Sequence, residues 1–254
     1  MIGPNAPICV PKVAQPVDVH LSDYEVELTI VIGKTAKNVS EAEALDYVLG
    51  YTAANDVRGL QPRDRVCFLG LFAEPLAPEH LGVLPQTPDD DVSVGLFQGI
   101  WSVVFASAGA HSHVLTLSGS PDNTTPLGPC IVSNNAIPDP QVLPLTCMLN
   151  GKTLQNGNTK CVLSCLAFFL STSMLNTPCR DQIFNVRQTV AFLSQATTLE
   201  PGSIILTGTP AGVGFARKPA VVLKHGDDCR VWIGHGIGTL VNTVVEEGKR
   251  GAKL

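Results

Sequence analysis

The alternation of apolar and polar positions predicts a chain built mainly from β-strands. Residues 24–32 contain the β-branched run Thr29-Ile30-Val31-Ile32, which is typical of a buried strand. Residues 1–20 are rich in Pro and Val without a helical period, so they predict an extended or edge segment. Further short strands, bounded by Gly, Pro or Asn, are predicted at residues 130–133, 143–149, 203–206, 220–223, 229–233 and 239–245.

Two stretches have helical periodicity instead. Ser40 and Glu43 have the spacing of a capping box, which predicts a helix that ends near Ala54. Asp181 is the predicted cap of a second helix. Apolar residues recur at helical intervals after each cap: Ala42, Leu45, Val48, Leu49 and Thr52 in the first, then Ile183, Phe184, Val186, Val190 and Leu193 in the second. The predicted fold class is therefore α+β and β-rich, in a single domain covering residues 1–254.

Two acids at the head of the first long strand are the best candidates for chemistry. Glu25 and Glu27 are separated by one residue, so their side chains share one face of the strand. Like charges side by side favour a bound cation, although an exposed strand end with both acids in water is the alternative. Asp56 follows the first predicted helix and supplies a third carboxylate. Three carboxylates suit a hard divalent cation such as Mg²⁺ or Mn²⁺.

The Gly-rich loop Thr207 to Gly214 is a second candidate site. It offers two hydroxyls, and its glycines allow backbone N–H groups to approach a ligand closely. It lacks the Gly-Lys-Ser/Thr ending of a phosphate-binding P-loop, so nucleotide binding is disfavoured, and a plain turn between strands is the alternative. The sequence has no Gly-x-Ser-x-Gly elbow, and its histidines have no fixed metal-ligand spacing.

Composition narrows the classes of partner. The 254 residues carry a formal net charge of -5, and no Lys/Arg block suggests nucleic acid or an anionic membrane surface. Eight cysteines are scattered without paired Cys-x-x-Cys spacing, which indicates reduced thiols. Residues 161–179 are uncharged, but their apolar centre of about ten residues is too short to span a membrane. A cytoplasmic protein that binds a small ligand is expected, or a mitochondrial one if an N-terminal segment is missing.

Taken together and in order, the motifs resemble the C-terminal catalytic domain of the fumarylacetoacetate hydrolase family. The resemblance covers most of the chain outside two insertions, at about residues 62–118 and 161–179. The matching stretches are Asp23-Tyr24-Glu25-Val26-Glu27-Leu28 with Val31-Ile32-Gly33-Lys34, Gly50-Tyr51-Thr52 with Asn55-Asp56-Val57, Pro126-Leu127-Gly128-Pro129, Asn150-Gly151 with Gln155 and Asn158-Thr159, Thr198-Leu199-Glu200-Pro201-Gly202, Ile205-Leu206-Thr207-Gly208-Thr209-Pro210-Ala211-Gly212-Val213-Gly214, and Gly236-Ile237-Gly238-Thr239-Leu240 with Asn242.

This resemblance implies a mixed β-roll, commonly dimeric, and an enzyme that cleaves a carbon–carbon bond in an acylpyruvate or a related β-diketo or 2-oxo acid. Relatives decarboxylate oxaloacetate or isomerise similar acids. The implied Mg²⁺ or Mn²⁺ ligands are Glu25, Glu27 and Asp56. The implied substrate-binding residues are Thr207, Gly208, Thr209, Arg58 and Gln61, with Arg63 as a further candidate.

Some expected groups depart from the family pattern. The family's Lys falls at Gly119, with Asp122 matching the neighbouring Asp, and the N-terminal His and Glu that activate water have no counterpart in residues 1–20. The catalytic residues are therefore unassigned, and a catalytically silent metal- or ligand-binding relative is the alternative, with a structural oligomerisation module a more distant one. One hypothesis is that both insertions are translated intron sequence, which a transcript encoding both in frame would contradict.

Overall fold

Two five-stranded sheets form the body of the protein. The computed structural model describes residues 1–12, 22–59, 103–104, 122–161 and 185–249. The strands are β1 (Ile8–Val10), β2 (Ser22–Asp23), β3 (Val26–Ile32), β4 (Val48–Asn55), β5 (Arg58–Gly59), β6 (Val103–Val104), β7 (Leu127–Ser133), β8 (Pro144–Leu149), β9 (Lys152–Asn158), β10 (Ile204–Leu206), β11 (Asp228–Ile233) and β12 (Gly238–Glu246). The α-helix is α1 (Val186–Ala196), and short 3₁₀ helices cover Ala44–Tyr47, Asn134–Ala136 and Thr159–Cys161.

The strand order places the first and last strands side by side. One sheet has the order β1-β12-β11-β8-β9 and the other β6-β10-β3-β4-β7, while β2 and β5 form a separate pair. Strand β1 is parallel to β12 at the sheet edge, and the other pairings are antiparallel. These strand-rich sheets confirm the predicted β-rich fold class and the edge position predicted for the N-terminal segment, as far as residue 12.

Alternation along β3 divides its side chains between two environments. Val26, Leu28, Ile30 and Ile32 belong to the main hydrophobic core, together with residues of β8, β11 and β12. Val31 lies on the opposite face, in a smaller cluster with Ala54, Ile204 and Leu206. Because successive side chains alternate, Glu27 shares that second face rather than the main core.

The predicted helix from Ser40 to Ala54 is wrong. Ser40 does donate to the Glu43 carboxylate (2.6 Å), yet only one turn of 3₁₀ helix follows, and then the chain enters β4. Val48, Tyr51 and Thr52 suit a strand better than a helix, and pairing with β3 and β7 supplies the hydrogen bonds. Pairing of β4 with β3 and β7 therefore outweighs the helical spacing of its apolar residues.

The second predicted helix exists but begins later. It is α1, and Asn185 caps it through a capping box with Gln188. The proposed cap, Asp181, lies outside the described residues. The helix packs near the 3₁₀ turn Ala44–Tyr47, and Arg187 donates to the carbonyl oxygen of Ala42 (2.9 Å).

Most predicted strands are confirmed, with one exception. Strands β3, β7, β8, β10, β11 and β12 occur where runs of apolar residues predict them, and Asn150-Gly151 joins β8 to β9 with positive φ at both residues. Residues 220–223 are not a strand, although Val221 N–H donates to the Gly214 carbonyl (3.0 Å) and Leu223 N–H to Ser22 (2.9 Å). Among the described residues, no helix has the length and apolar character that crossing a membrane requires.

Candidate metal centre

Three buried carboxylates meet at one end of the β3–β4 pair. Each of Glu25, Glu27 and Asp56 offers one oxygen, and these oxygens all lie within 4.8 Å of one another. The exposed fractions of the three residues are 8 %, 1 % and 1 %. This is the clustering that the sequence predicts for its three candidate ligands.

Antiparallel pairing explains the cluster. Val26 pairs with Asn55 across β3 and β4, which places Glu25, before β3, beside Asp56, after β4. The Asp56 N–H donates to the Glu25 carbonyl (2.9 Å), and the Glu25 N–H donates to Asn55 Oδ1 (2.9 Å). The element that delivers Asp56 is therefore a strand, which corrects the predicted helical arm.

The loop after β10 is joined to the carboxylate strand by side chains. The Thr207 hydroxyl donates to the Leu28 carbonyl (3.0 Å), and the Thr209 hydroxyl donates to the Val26 carbonyl (3.0 Å). The Gly208 N–H donates to Glu27 Oε2 (2.8 Å). These bonds hold one metal-site carboxylate and bring the predicted substrate-binding loop directly against it.

Hydrogen bonds to Asp23 hold the far end of the same loop. Asp23 accepts hydrogen bonds from the N–H groups of Gly214 (2.7 Å) and Phe215 (2.8 Å). Burial raises the pKa of Asp23, and those two N–H groups and the nearby Arg217 oppose the rise. Arg217 also donates to the Tyr24 hydroxyl (3.2 Å), and burial, the main cause, raises the pKa of Tyr24 to about 12. No local sequence pattern predicts these contacts of Asp23, because their partners lie more than 190 positions away in the chain.

Other predicted site residues are only partly described. The backbone of Arg58 lies in β5, paired with Asp23. Gln61, Arg63 and Gly119 lie outside the described residues, as do nearly all of the two insertions. The substrate-binding roles of Arg58 and Gln61 thus stay predictions.

The donor set fits a hard divalent cation. Three carboxylates brought together away from water repel one another, and a cation among them offsets both the repulsion and the lost hydration. Oxygen donors are those that Mg²⁺ and Mn²⁺ prefer, and within the part of the chain that the structure describes the cluster contains no thiol or imidazole.

Comparison with known proteins gives the family. The sequence profile described as fumarylacetoacetate (FAA) hydrolase C-terminal matches residues 1–78, 106–174 and 171–245. Caffeoylpyruvate hydrolase of Neonothopanus nambi is 41% identical over 247 residues, covering 97% of this chain and 57% of that protein. An oxaloacetate tautomerase of Xenopus laevis, named fahd2 and mitochondrial, is 31% identical, covering 96% of this chain and 55% of that protein.

A solved structure agrees on the fold. Maleylpyruvate hydrolase from Sphingobium sp. SYK-6, crystallised with manganese(II) and pyruvate, is 25% identical with a TM-score of 0.57. The match covers 96% of this chain and 60% of that one. This chain thus spans little more than half the length of the curated relatives it matches. The profile match extends over most of the sequence and includes all three clustered carboxylates, and the chain belongs to the fumarylacetoacetate hydrolase family.

Proposed function

We propose that this protein is a Mg²⁺- or Mn²⁺-dependent enzyme that cleaves a carbon–carbon bond in a small β-diketo or 2-oxo acid. The observation that carries the proposal is the buried cluster of Glu25, Glu27 and Asp56. The names of its relatives support the substrate class, since they include a caffeoylpyruvate hydrolase and an oxaloacetate tautomerase. Acylpyruvates and oxaloacetate share the 2-oxo acid group.

The three carboxylates are the proposed binding site for the cation, and the Thr207–Thr209 loop lies directly beside them. When bound, the cation supplies Lewis-acid polarisation of a substrate carbonyl and stabilises negative charge that develops on its oxygen. Glu27 is held by the Gly208 N–H, so it can bind without first being ordered. A 2-oxo acid offers two oxygens at chelating distance, which would occupy two of the three positions that three protein ligands leave open on a six-coordinate ion.

Thr207, Gly208 and Thr209 are the proposed binding residues for the substrate carboxylate, and Arg58 and Gln61 are proposed as further substrate-binding residues. Both threonine hydroxyls donate to carbonyls of β3 in the structure. A hydroxyl proton rotates readily, so the Thr207 hydroxyl can turn toward a carboxylate while its oxygen stays in place and Thr209 keeps its bond to the Val26 carbonyl. The loop thus needs no large movement to bind an anion.

Turnover assays test the proposal directly. Acetylpyruvate cleavage and oxaloacetate decarboxylation or tautomerisation are measured with Mg²⁺ and Mn²⁺, comparing the native chain with Glu25→Ala. We expect native turnover and a loss of at least about 100-fold in kcat/KM for Glu25→Ala, because a ligand is removed. Glu41→Ala, which changes an exposed acid away from the cluster, is the matched control and retains activity.

The alternative is a catalytically silent relative that still binds metal. It is favoured by the position of Gly119 where the family has Lys. Mn²⁺ binding that depends on Glu25, without turnover of either substrate, would establish this alternative and reject the enzyme.

Assembly and compartment stay predictions. A homodimer is supported by Leu49 and Ile131, each 53% exposed, on the adjacent strands β4 and β7. Sedimentation velocity of the native chain checks the dimer. The cytoplasm is the compartment predicted from composition, whereas the Xenopus relative is named mitochondrial; fractionation of cells that express the protein distinguishes the two.

A further inference from the structure

The main chain of Val26 lies between two metal-site carboxylates, and its polar groups require partners. Strand β10 pairs with β3 only as far as Leu206, opposite Thr29. Strand β10 therefore makes no backbone pairing with Val26. A buried N–H or carbonyl group without a hydrogen-bond partner costs free energy. Side chains supply the partners there instead.

Gln155 is the partner of the Val26 N–H. It lies on β9, in the other sheet, and is fully buried. Its Oε1 accepts from the Val26 N–H (3.0 Å), while its Nε2 donates to Thr209 Oγ1 (2.7 Å) and to the Pro210 carbonyl (2.9 Å). Exchanging Oε1 and Nε2 would place the amide N–H against the Val26 N–H and the amide oxygen against the oxygens of Thr209 and Pro210. The hydrogen bonds therefore fix the orientation of the amide.

Thr209 completes the arrangement by donating to the Val26 carbonyl (3.0 Å). Both polar groups of Val26 are thus held by Gln155 and by the threonine that Gln155 contacts. The Val26 N–H belongs to the peptide plane shared with Glu25, and its carbonyl belongs to the plane shared with Glu27. Because peptide groups are planar, holding these two planes fixes φ and ψ of Val26 and thereby the relative positions of the Glu25 and Glu27 Cα atoms.

We infer that Gln155 is a positioning residue for the metal centre: through Val26 it holds the Cα atoms of Glu25 and Glu27 at a fixed spacing and joins this segment to the Thr207–Thr209 loop. The inference rests on the proposed function, since it assumes that these carboxylates bind a divalent cation. An amide suits the role because it both donates and accepts without adding charge beside three carboxylates. The contacts of Gln155 are made between residues more than fifty positions apart, so they depend on the finished fold.

Mn²⁺ affinity, measured on the native chain by electron paramagnetic resonance of the free ion, tests the inference without requiring turnover. Gln155→Met keeps the side-chain length and removes all three hydrogen bonds. We expect its Mn²⁺ dissociation constant to rise by about 10- to 100-fold, as is usual when groups that orient metal ligands are lost.

Thr159→Val is the matched control for a general loss of stability. Thr159 is also fully buried, accepts from the Leu143 N–H (2.9 Å) and donates to the Pro140 carbonyl (2.7 Å), but it contacts none of the carboxylates in these bonds. We expect Thr159→Val to unfold more readily than the native chain and to bind Mn²⁺ with native affinity.

Thr209→Val is the second variant, for use if Gln155→Met does not fold. It removes one hydroxyl and is expected to weaken Mn²⁺ binding in the same direction, by a smaller factor. Native Mn²⁺ affinity in a folded Gln155→Met chain, or in Thr209→Val where the former does not fold, overturns the inference and leaves the metal centre intact. Absence of Mn²⁺ binding by the native chain itself rejects the metal centre and the inference with it.

Discussion

At the scale of single residues, Tyr51 connects the burial of a hydroxyl to the pH range of the fold. The Tyr51 side chain is fully buried, and its hydroxyl donates to Asn134 Oδ1 (3.0 Å). Burial is the main cause that raises the pKa of Tyr51 well above its ordinary value, with Arg187 opposing the rise. The folded state therefore favours the neutral phenol.

The sign of the resulting pH dependence is determined by this shift. The pKa of Tyr51 is higher in the folded state than in the unfolded state. The stability that the neutral Tyr51 phenol contributes is therefore fully present below about pH 10 and is lost as the pH rises further. We expect Tyr51 phenolate absorbance to appear only together with alkaline unfolding. Ultraviolet titration of the native chain against Tyr51→Phe isolates the Tyr51 contribution, and phenolate formation in the folded state near pH 10 would contradict the expectation.

The identities of the site carboxylates were predictable because their evidence is local. Glu25 and Glu27 are separated by a single residue, and Asp56 belongs to the short motif Asn55-Asp56-Val57. The contacts that orient them join distant residues: Gly208 donates to Glu27 across 181 positions, and Gln155 accepts from the Val26 N–H across 129 positions. No periodicity in a single sequence encodes such partners, so Gln155 and Asp23 received no predicted roles.

At the scale of elements, β4 holds Asp56 in place, and Gly50 allows β4 to pair with β7. A Cβ added at Gly50 would lie 2.2 Å from the Val132 carbonyl oxygen, which is backbone and cannot move aside cheaply. We expect Gly50→Ala to lower the free energy of unfolding by about 1–3 kcal/mol, because the added methyl group overpacks the contact with β7. Urea denaturation measures the loss.

Gly3→Ala is the control for that prediction. Nothing lies within 4 Å of a Cβ added at Gly3, so its free energy of unfolding should change by less than about 0.5 kcal/mol. Equal stability of the Gly50 and Gly3 variants would show that β7 shifts freely over β4.

The error over β4 has a physical origin. Residues 42–52 carry apolar side chains at a helical spacing, and the Ser40–Glu43 pair does form, so the local evidence for a helix was sound. The competing evidence is the partner strand β3, whose pairing through seven positions a single sequence does not reveal. Strands bounded by Gly, Pro or Asn, such as β8 and β11, were predictable because alternation and turn residues coincide there.

At the scale of the molecule, cation binding should stabilise the whole fold. A ligand that binds only the folded state stabilises it by about 2.7 kcal/mol at one hundred times its dissociation constant. We expect Mn²⁺ to raise the melting temperature of the native chain. In Glu27→Gln, which loses the charge but keeps an oxygen to accept from Gly208, the rise should be much smaller; a rise of native size would remove Glu27 from the ligand set.

The parallel pairing of β1 with β12 has a consequence for synthesis on the ribosome. Val10 pairs with Glu246, so this sheet edge cannot form until more than 200 residues have been added after β1. The same order holds for the candidate metal centre, because its three carboxylates precede Gln155 and Gly208 in the sequence. A nascent chain therefore carries the three acidic side chains before the groups that orient them exist, and the centre can be completed only after Gly208 has been translated.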